Sequence, residues 1–249
     1  MDALATYALR LGDDSLILGQ RLGEWCGHAP ALEVDLSLTN VALDQVGQAT
    51  HFLGLAGAIE NAGRDADALA FRRDVMDFTN CLLVEQPNGD FAQTIARQFL
   101  FSHYQALLFA QMARVKDERF AAIAAKALKE VSYHVTLASD WVVRLGDGTD
   151  ESKTRTIAGL DWMWRFADEL FVMDDVDAAA IKAGAGVDKA ALRAEWDARI
   201  DAVLADATLV RPASRRPVLG GRSGHHSEHL GHLLTHMQFL QRAYPDATW

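Results

Sequence analysis

Long stretches of apolar residues repeat every three or four positions, and this spacing most constrains the fold. In the first stretch, the steps from Leu4 to Trp25 alternate between four and three residues, which is the period of one face of an α-helix. Proline, which interrupts helices, is absent from residues 1–29 and 88–211. Alternation of β-branched residues, typical of strands, is hard to find. The sequence therefore predicts an all-α fold.

The periodicity and the turn residues between the periodic stretches predict eight helices. We expect them at about residues 4–25, 31–60, 65–84, 90–115, 117–145, 151–173, 187–209 and 225–243. Long helices joined by short or medium loops indicate an antiparallel bundle with extra helices packed outside. We expect one domain over residues 1–249, with the bundle core at about 2–145 and accessory helices at about 151–249.

Charge and cysteine content narrow the class of protein. The net charge of −10 argues against a nucleic-acid or anionic-membrane partner, which would need a basic face. The two cysteines, Cys26 and Cys81, do not form a disulfide framework and fit a reducing compartment. The start, MDALATYALRLGDD, is unlike a signal peptide, and no run of about 18 apolar residues predicts a membrane span. We therefore expect a cytoplasmic protein.

Four of the predicted inward-facing positions are polar. They are Ser15 on the first helix, Gln45 and Gln48 on the second, and His134 on the fifth. Burying an unpaired amide or imidazole costs on the order of a few kcal/mol. Each of these residues therefore needs a partner or a functional reason.

The positions match the ligand pattern of carboxylate-bridged di-iron bundles. There, two helices each give one carboxylate and two others each give a Glu-x-x-His pair. Here the pairs read Gln45-x-x-Gln48 and Val131-x-x-His134, and Ser15 occupies a carboxylate position. Amides and hydroxyls are weak ligands that leave the charge of two irons uncompensated. The sequence indicates a di-iron architecture that has lost its metal, so we expect no metal ligands and no catalytic residues in this chain.

Two alternatives remain open from the residues alone. Asp44, Glu130 and His134 could form a shifted mononuclear site in an autonomous metal-dependent oxidase or oxygenase. Glu130 and His134 are four residues apart and so share a helix face. The other alternative is a metal-free bundle that binds a small molecule at Gln45, Gln48 and His134.

Longer motifs resemble a known family. The similarity runs from about Tyr7 to Trp249 and rests on the segments LRLGDDSLILGQRLGEWCGHAP, LVEQPNGDFAQTIARQF, KALKEVSYHV, LGDGTD and GGRSGHHSEHLGHLLTHMQFLQR. Together these segments are similar to the C subunits of bacterial phenylacetyl-CoA epoxidases, which are ring monooxygenases. The resemblance implies a ferritin-like helical bundle.

The resemblance also implies a role and partners. The C subunit is the non-catalytic, structural relative of the catalytic A subunit, which it pairs with and supports. The di-iron centre lies in the A subunit, which has Glu at the position of Ser15 and Glu-x-x-His at the two paired positions. The complex also uses a small B subunit and a flavin and iron–sulfur reductase. It epoxidises the ring of phenylacetyl-CoA with oxygen and NADPH in phenylacetate catabolism. Whether the isolated chain forms a homodimer is also left open.

The C-terminal segment HHSEHLGHLLTH is rich in histidine. His225, His229, His232 and His236 follow at steps of four, three and four, so they are expected on one face of the last helix, beside Glu228. Such a face can chelate zinc, or it can contact a partner or form a structural polar network. We take His225, His229 and His232 as partner-interface candidates.

Two further segments are candidates for contacts. The basic loop RPASRRPVLGGR includes Arg215 and Arg216, which would meet the phosphates of CoA or an acidic partner, unless the loop is simply solvated. The run DWMWRF places Trp162 and Trp164 either at an interface hot spot or in the core.

Overall fold

The structure, a computed structural model, describes residues 2–213, 216–245 and 247 of the chain. All the regular structure in these residues is helical, which confirms the predicted all-α class and agrees with a ferritin-like bundle. The α-helices are α1 (Ala3–Gly23), α2 (Leu32–Glu60), α3 (Ala66–Phe71), α4 (Leu82–Glu85), α5 (Phe91–Met112), α6 (Glu118–Gly146), α7 (Asp150–Trp164), α8 (Asp175–Lys182), α9 (Arg193–Asp206) and α10 (Glu228–Ala243). Short 3-10 helices are Val75–Asp77, Ala167–Phe171, Ala190–Leu192 and Gly221–Ser223. None of the helices formed by the described residues is long and apolar enough to span a membrane.

The chain divides into two compact units. The first contains the described residues up to Gln86 and those from Gly220 onward, and the second contains those of Pro87–Leu219. In the first unit α1 and α2 form the main helix pair, with α3, α4 and α10 around them. In the second, α5 packs against α6, α7 and α9. The expectation of one domain with its core at residues 2–145 stays a prediction.

Helices α1 and α2 pack antiparallel in a register set by two glycines. A Cβ added to Gly19 would lie 3.2 Å from the carbonyl oxygen of Ala42 and 3.4 Å from the Cβ of Gln45. Seven residues earlier, a Cβ on Gly12 would lie 2.6 Å from the side chain of Leu53. The glycines therefore let the two backbones approach closely. Counting from these contacts puts Ser15 level with the part of α2 that follows Gln48.

Helix α5 is the central helix of the second unit. Its N-cap Asp90 accepts a hydrogen bond from the backbone N–H of Gln93 at 2.9 Å, as a helix start requires. The ring of Phe91 meets that of Trp141 edge-on at 5.0 Å, so the start of α5 packs beside the end of α6. Nearly all of α5 is buried, and its buried residues include polar ones such as Arg97 and Gln98.

The predicted third helix at residues 65–84 is wrong. The structure has α3, a 3-10 turn and α4 in its place. Buried carboxylates on α1 take the backbone donors that a continuous helix would use: Thr79 N–H donates to Asp13 at 2.8 Å and Cys81 N–H to Asp14 at 2.7 Å. A continuous helix would have directed these N–H groups to its own carbonyls.

The predicted sixth and seventh helices are also shorter than expected. The helix expected at 151–173 ends at Trp164 and continues as a 3-10 turn, and the one expected at 187–209 starts as a 3-10 turn before α9. Helix α8 was not predicted. Its N-cap Asp174 forms a capping box with Asp177, a local signal that was readable in the sequence as Asp-x-x-Asp.

Candidate functional site

The first unit buries three of the residues predicted at di-iron positions. Ser15, Gln45 and Gln48 are at most 2 % exposed, on the facing sides of α1 and α2. Among the described residues, the Oγ of Ser15 has no hydrogen-bond partner. A hydroxyl is a poor ligand for iron, and a carboxylate at this place would be needed to balance the metal charge.

The second unit buries the other two predicted positions. Val131 and His134 lie on the inner side of α6, and neither side chain is exposed. His134 is seven residues before Trp141, and Gln98 is seven residues after Phe91. Because the Phe91–Trp141 contact aligns the two helices, Gln98 lies level with His134.

Gln98 is a buried polar residue that the sequence patterns did not single out. Its side chain is fully buried, and within the described residues neither its Oε1 nor its Nε2 has a hydrogen-bond partner. The sequence did give one signal: α5 has no Asp or Glu along its length. No residue of α5 can therefore offer the carboxylate that a metal-binding helix would provide.

The residues at these positions do not fit a di-iron centre. They offer one imidazole, three amides, a hydroxyl and an aliphatic side chain, and no carboxylate. In the alternative shifted set, Asp44 and Glu130 are only half-buried, whereas a metal ligand set is normally enclosed, and Asp44, Glu130 and His134 each make a polar or electrostatic interaction. In the described part of the chain, no three His, Cys, Asp or Glu side chains are close enough together to hold a metal ion. That the chain binds no metal stays a prediction.

The C-terminal histidines are arranged differently from the expectation. Helix α10 begins at Glu228, so His225 precedes the helix and does not extend the histidine face. His225 and His232 are exposed, and His229 is half-buried. Their exposure agrees with a role as partner-interface candidates, which stays a prediction.

His226, which the sequence patterns missed, is the histidine with the most structured surroundings. Its Nδ1 lies 2.7 Å from Oε2 of Glu85, and its Nε2 lies 2.8 Å from the carbonyl oxygen of Phe78. Both ring nitrogens therefore face acceptors and favour the imidazolium. Burial alone lowers the pKa of His226, but the hydrogen bond and charge of Glu85 and the Phe78 carbonyl raise it above its ordinary value.

The carboxylate of Glu85 is the centre of a polar cluster in the first unit. It is fully buried and also accepts from the N–H and Oγ of Ser227, at 2.7 and 2.8 Å, and from Nδ2 of Asn80 at 2.9 Å. The guanidinium of Arg21 donates to the carbonyl oxygens of Glu85 and His229. This cluster joins α1, α4 and the segment that leads into α10.

Two buried ion pairs lie beside this cluster. Arg73 makes a two-pronged ion pair with Asp13, and both side chains are almost completely buried. Arg222 donates to both carboxylate oxygens of Asp14, at 2.9 and 2.7 Å. Arg222 comes from the predicted basic loop, so this arginine is structural and does not face a ligand.

The other arginines of the basic loop also differ in their surroundings. Arg211 binds Asp197 and Asp201 at 2.7 and 2.8 Å, whereas Arg216 is exposed. Arg215 lies outside the described residues. Arg216 is thus the described arginine of this loop that stays accessible to a partner.

The two tryptophans of DWMWRF have different surroundings. Trp164 is buried and packs against Trp196, with ring centroids 5.8 Å apart. Trp162 is 36 % exposed and carries the guanidinium of Arg165 at 4.4 Å over its ring. The core interpretation therefore holds for Trp164, and only Trp162 is available at the surface.

The chain is similar over its whole length to one protein family and to one curated protein. A family model described as "Phenylacetic acid catabolic protein" matches residues 1–249. The C subunit of the 1,2-phenylacetyl-CoA epoxidase of Escherichia coli (strain K12) is 48% identical over 249 residues, which is 100% of both chains. These matches confirm the resemblance read from the sequence motifs. The chain belongs to the phenylacetic acid catabolic protein family.

Proposed function

We propose that the chain is the non-catalytic, structural subunit of a phenylacetyl-CoA epoxidase in phenylacetate catabolism. In this role it stabilises a homologous catalytic A subunit, which holds the di-iron centre, and it also assembles with the small B subunit. The observation that carries the proposal is the buried set of neutral residues at di-iron positions, together with the full-length similarity to the C subunit of an epoxidase.

The chemistry of the buried positions supports a role without metal. Two irons need several carboxylates, because hard oxygen ligands both bind the metals and offset their charge. Ser15, Gln45 and Gln48 carry no charge, and the α5 helix has no acidic residue. A chain of this family with such an interior can keep the bundle scaffold while leaving oxygen chemistry to its partner.

The rigidity of the first unit supports a scaffold role. Glu85, Asp13 and Asp14 are buried carboxylates, and each is bound by several donors. Breaking such a network costs several kcal/mol, so the segment before α10 is held in one arrangement. Accessible candidates for partner contacts are then Arg216, His225 and His232, as the sequence suggested.

We further propose a cytoplasmic location. Cys26 and Cys81 form no disulfide in the described part of the chain, which suits a reducing compartment. NADPH-dependent ring epoxidation of a CoA thioester would also take place there.

Co-expression tests the proposal. A tagged catalytic subunit is produced with the B subunit, with and without this chain, and its yield, melting temperature and iron content are measured. We expect the chain to co-purify and to raise the melting temperature of the catalytic subunit. Equal yield and melting temperature with and without the chain would contradict the structural role.

A variant separates support from catalysis. His134→Gln removes the one ligand type that survives at the di-iron positions while keeping a polar side chain of similar size. We expect the complex with this variant to retain its iron and its epoxide product, measured by mass spectrometry. The matched control is His232→Gln on the surface of α10. Loss of iron or product with His134→Gln alone would mean that this chain takes part in the metal chemistry.

A further inference from the structure

Two half-buried arginines of the second unit stack on aromatic rings and also bind carboxylates. The guanidinium of Arg193 lies 5.0 Å from the ring centroid of Phe171 and binds Asp197 at 3.1 Å. The guanidinium of Arg211 lies 5.3 Å from the ring centroid of Trp164 and also binds Asp197, at 2.7 Å. Each guanidinium thus has both a ring and an anion. The anion is needed because a ring alone does not replace the water that a charged group loses on burial.

Arg165 has the rings without the carboxylate. Its guanidinium lies 4.4 Å from the ring centroid of Trp162 and 5.9 Å from that of Phe166. The residue is half-buried, its shielded Nε has no hydrogen-bond partner, and no ion pair joins it to a carboxylate of the described residues. Arg144 also stacks on a tryptophan, but it is exposed and water satisfies its charge. Arg165 is therefore a positioned guanidinium that lacks the anion of the other two half-buried, stacked arginines.

A second arginine lies close to Arg165 in the fold. The backbone N–H of Val218 donates to the carbonyl oxygen of Arg165 at 3.0 Å. Arg216 is two residues before Val218, and two residues of chain span at most about 7 Å. Arg216 is exposed, so its guanidinium can reach an anion bound at Arg165. The segments DWMWRF and RPASRRPVLGGR, which are far apart in the sequence, thus meet at one surface.

This arginine–tryptophan surface consists of Trp162, Arg165, Arg216, Val218 and Leu219. Trp162 is 36 % exposed, Val218 is 39 % exposed and Leu219 is 51 % exposed. The indole therefore keeps an open part on which a planar group can stack, with apolar side chains nearby. An accessible aromatic ring beside arginines is the combination with which proteins bind a nucleobase and its phosphates.

Two guanidinium groups favour a phosphate over a single carboxylate. A phosphate monoester carries a charge of about −1.5 to −2 near neutral pH and has three acceptor oxygens. A guanidinium binds such a group through two parallel N–H···O hydrogen bonds. The chain as a whole carries a net charge of −10, which repels the many phosphates of a nucleic acid. A single nucleotide brings far fewer charges to the surface.

We propose that the arginine–tryptophan surface binds a nucleoside phosphate. The phosphates lie on Arg165 and Arg216, and the base stacks on Trp162. Free nucleotides and the nucleotide end of a CoA thioester share this chemistry. Because the site lies on an open surface, we expect a dissociation constant of about 0.1–1 mM. The proposal does not depend on the proposed epoxidase function.

Isothermal titration calorimetry of the purified chain tests the proposal, with ADP, pyrophosphate and CoA as probes. We expect saturable binding of ADP that weakens as the NaCl concentration rises, because salt screens an exposed ionic contact. Pyrophosphate has the charge without the base, so it should bind about tenfold more weakly than ADP. Tighter binding of CoA than of ADP would identify the nucleotide end of a CoA thioester as the ligand. Equal or weaker binding of CoA would identify a free nucleotide.

Variants separate the contributions of charge and stacking. Arg165→Gln should lower the affinity for ADP at least about tenfold, because it removes a charged hydrogen-bonding partner. Circular dichroism and the melting temperature check that this variant folds. Arg216→Gln changes an exposed side chain and should also weaken ADP binding. Trp162→Leu should weaken ADP binding more than pyrophosphate binding. The matched control is Arg144→Gln, which removes another arginine stacked on a tryptophan and should leave the affinity unchanged.

Four outcomes would overturn the proposal. The first is the absence of saturable binding with ADP at up to about 5 mM, well above the expected dissociation constant. The second is equal affinity for ADP and pyrophosphate, which would mean that the base is not recognised. The third is an equal loss of affinity with Arg144→Gln and Arg165→Gln. The fourth is a chain that binds no ADP but fails to assemble with the catalytic or B subunit as Arg165→Gln, which would assign this guanidinium to an acidic residue of a partner.

Discussion

His226 and Glu85 form a buried pair that joins the segment before α10 to α4. The imidazole Nδ1 lies 2.7 Å from the carboxylate, and neither side chain is more than 1 % exposed. The two residues are 141 positions apart in the sequence. The C-terminal segment is thus held to the rest of the first unit by a pair that contains a histidine, the side chain whose ordinary pKa lies closest to neutral pH.

The stability that His226 provides should depend on pH. Its pKa is raised in the folded chain from an ordinary value of 6.5, so its contribution is complete below about that pH and is lost as the pH rises through the raised value. His226→Gln should lower the free energy of unfolding by about 3 kcal/mol at pH 6, because it leaves the buried Glu85 without its cation. The difference from wild type, measured by urea unfolding, should shrink at pH 9. An equal or larger difference at pH 9 would contradict this assignment.

Asp13→Asn tests the buried ion pair with Arg73. The variant leaves a buried guanidinium without its counter-charge, and we expect a loss of about 3–5 kcal/mol in the free energy of unfolding. The control is Glu151→Gln, which removes the exposed partner of Arg155 and should change stability by no more than about 0.5 kcal/mol. Equal losses in the free energy of unfolding for the two variants would mean that burial of the Asp13–Arg73 pair does not increase its contribution to stability.

Gly57→Ala tests the close approach at the end of α2. The new Cβ would collide with the backbone carbonyl oxygen of Arg64, and backbone cannot move aside as a flexible side chain can. We expect a loss of about 2 kcal/mol in the free energy of unfolding. Gly23→Ala at the end of α1 has no neighbour within 4 Å and should change stability by no more than about 0.5 kcal/mol. A neutral Gly57→Ala would show that the chain relaxes there at little cost.

Ser15→Ala tests the interpretation of the buried hydroxyl on α1. A buried hydroxyl without a partner costs about 1–3 kcal/mol, so its removal should stabilise the chain by about 1 kcal/mol. Ser132→Ala on α6 removes an exposed hydroxyl that donates to the Leu128 carbonyl and should be close to neutral. A clear loss of stability with Ser15→Ala would mean that the hydroxyl has a structural partner.

Local patterns predicted the long helices well. The apolar repeat from Leu4 to Trp25 gave α1 to within two residues at each end, and the signal at Asp90 gave the start of α5. These features depend on residues close together in the sequence, where helical periodicity and capping act. The burial of Gln45, Gln48 and His134 followed from the same periodicity and is confirmed.

Long-range contacts explain where the sequence reasoning failed. The predicted helix at residues 65–84 was broken because Asp13 and Asp14 on α1 bind its backbone, and no local pattern reveals such a partner. His226 was overlooked in favour of the regularly spaced His225, His229 and His232, because its role depends on Glu85 in a distant segment. Charged residues inside the apolar repeat of α1 were the available signal for this cluster.

The metal content of the purified complex tests the central claim most directly. The catalytic subunit, the B subunit and this chain are expressed with iron and zinc supplied, and each separated chain is analysed by mass spectrometry. We predict less than about a tenth of an equivalent of any metal in this chain, because its buried positions offer no carboxylate, with the iron found in the catalytic subunit. About one or two equivalents of iron in this chain would contradict the account.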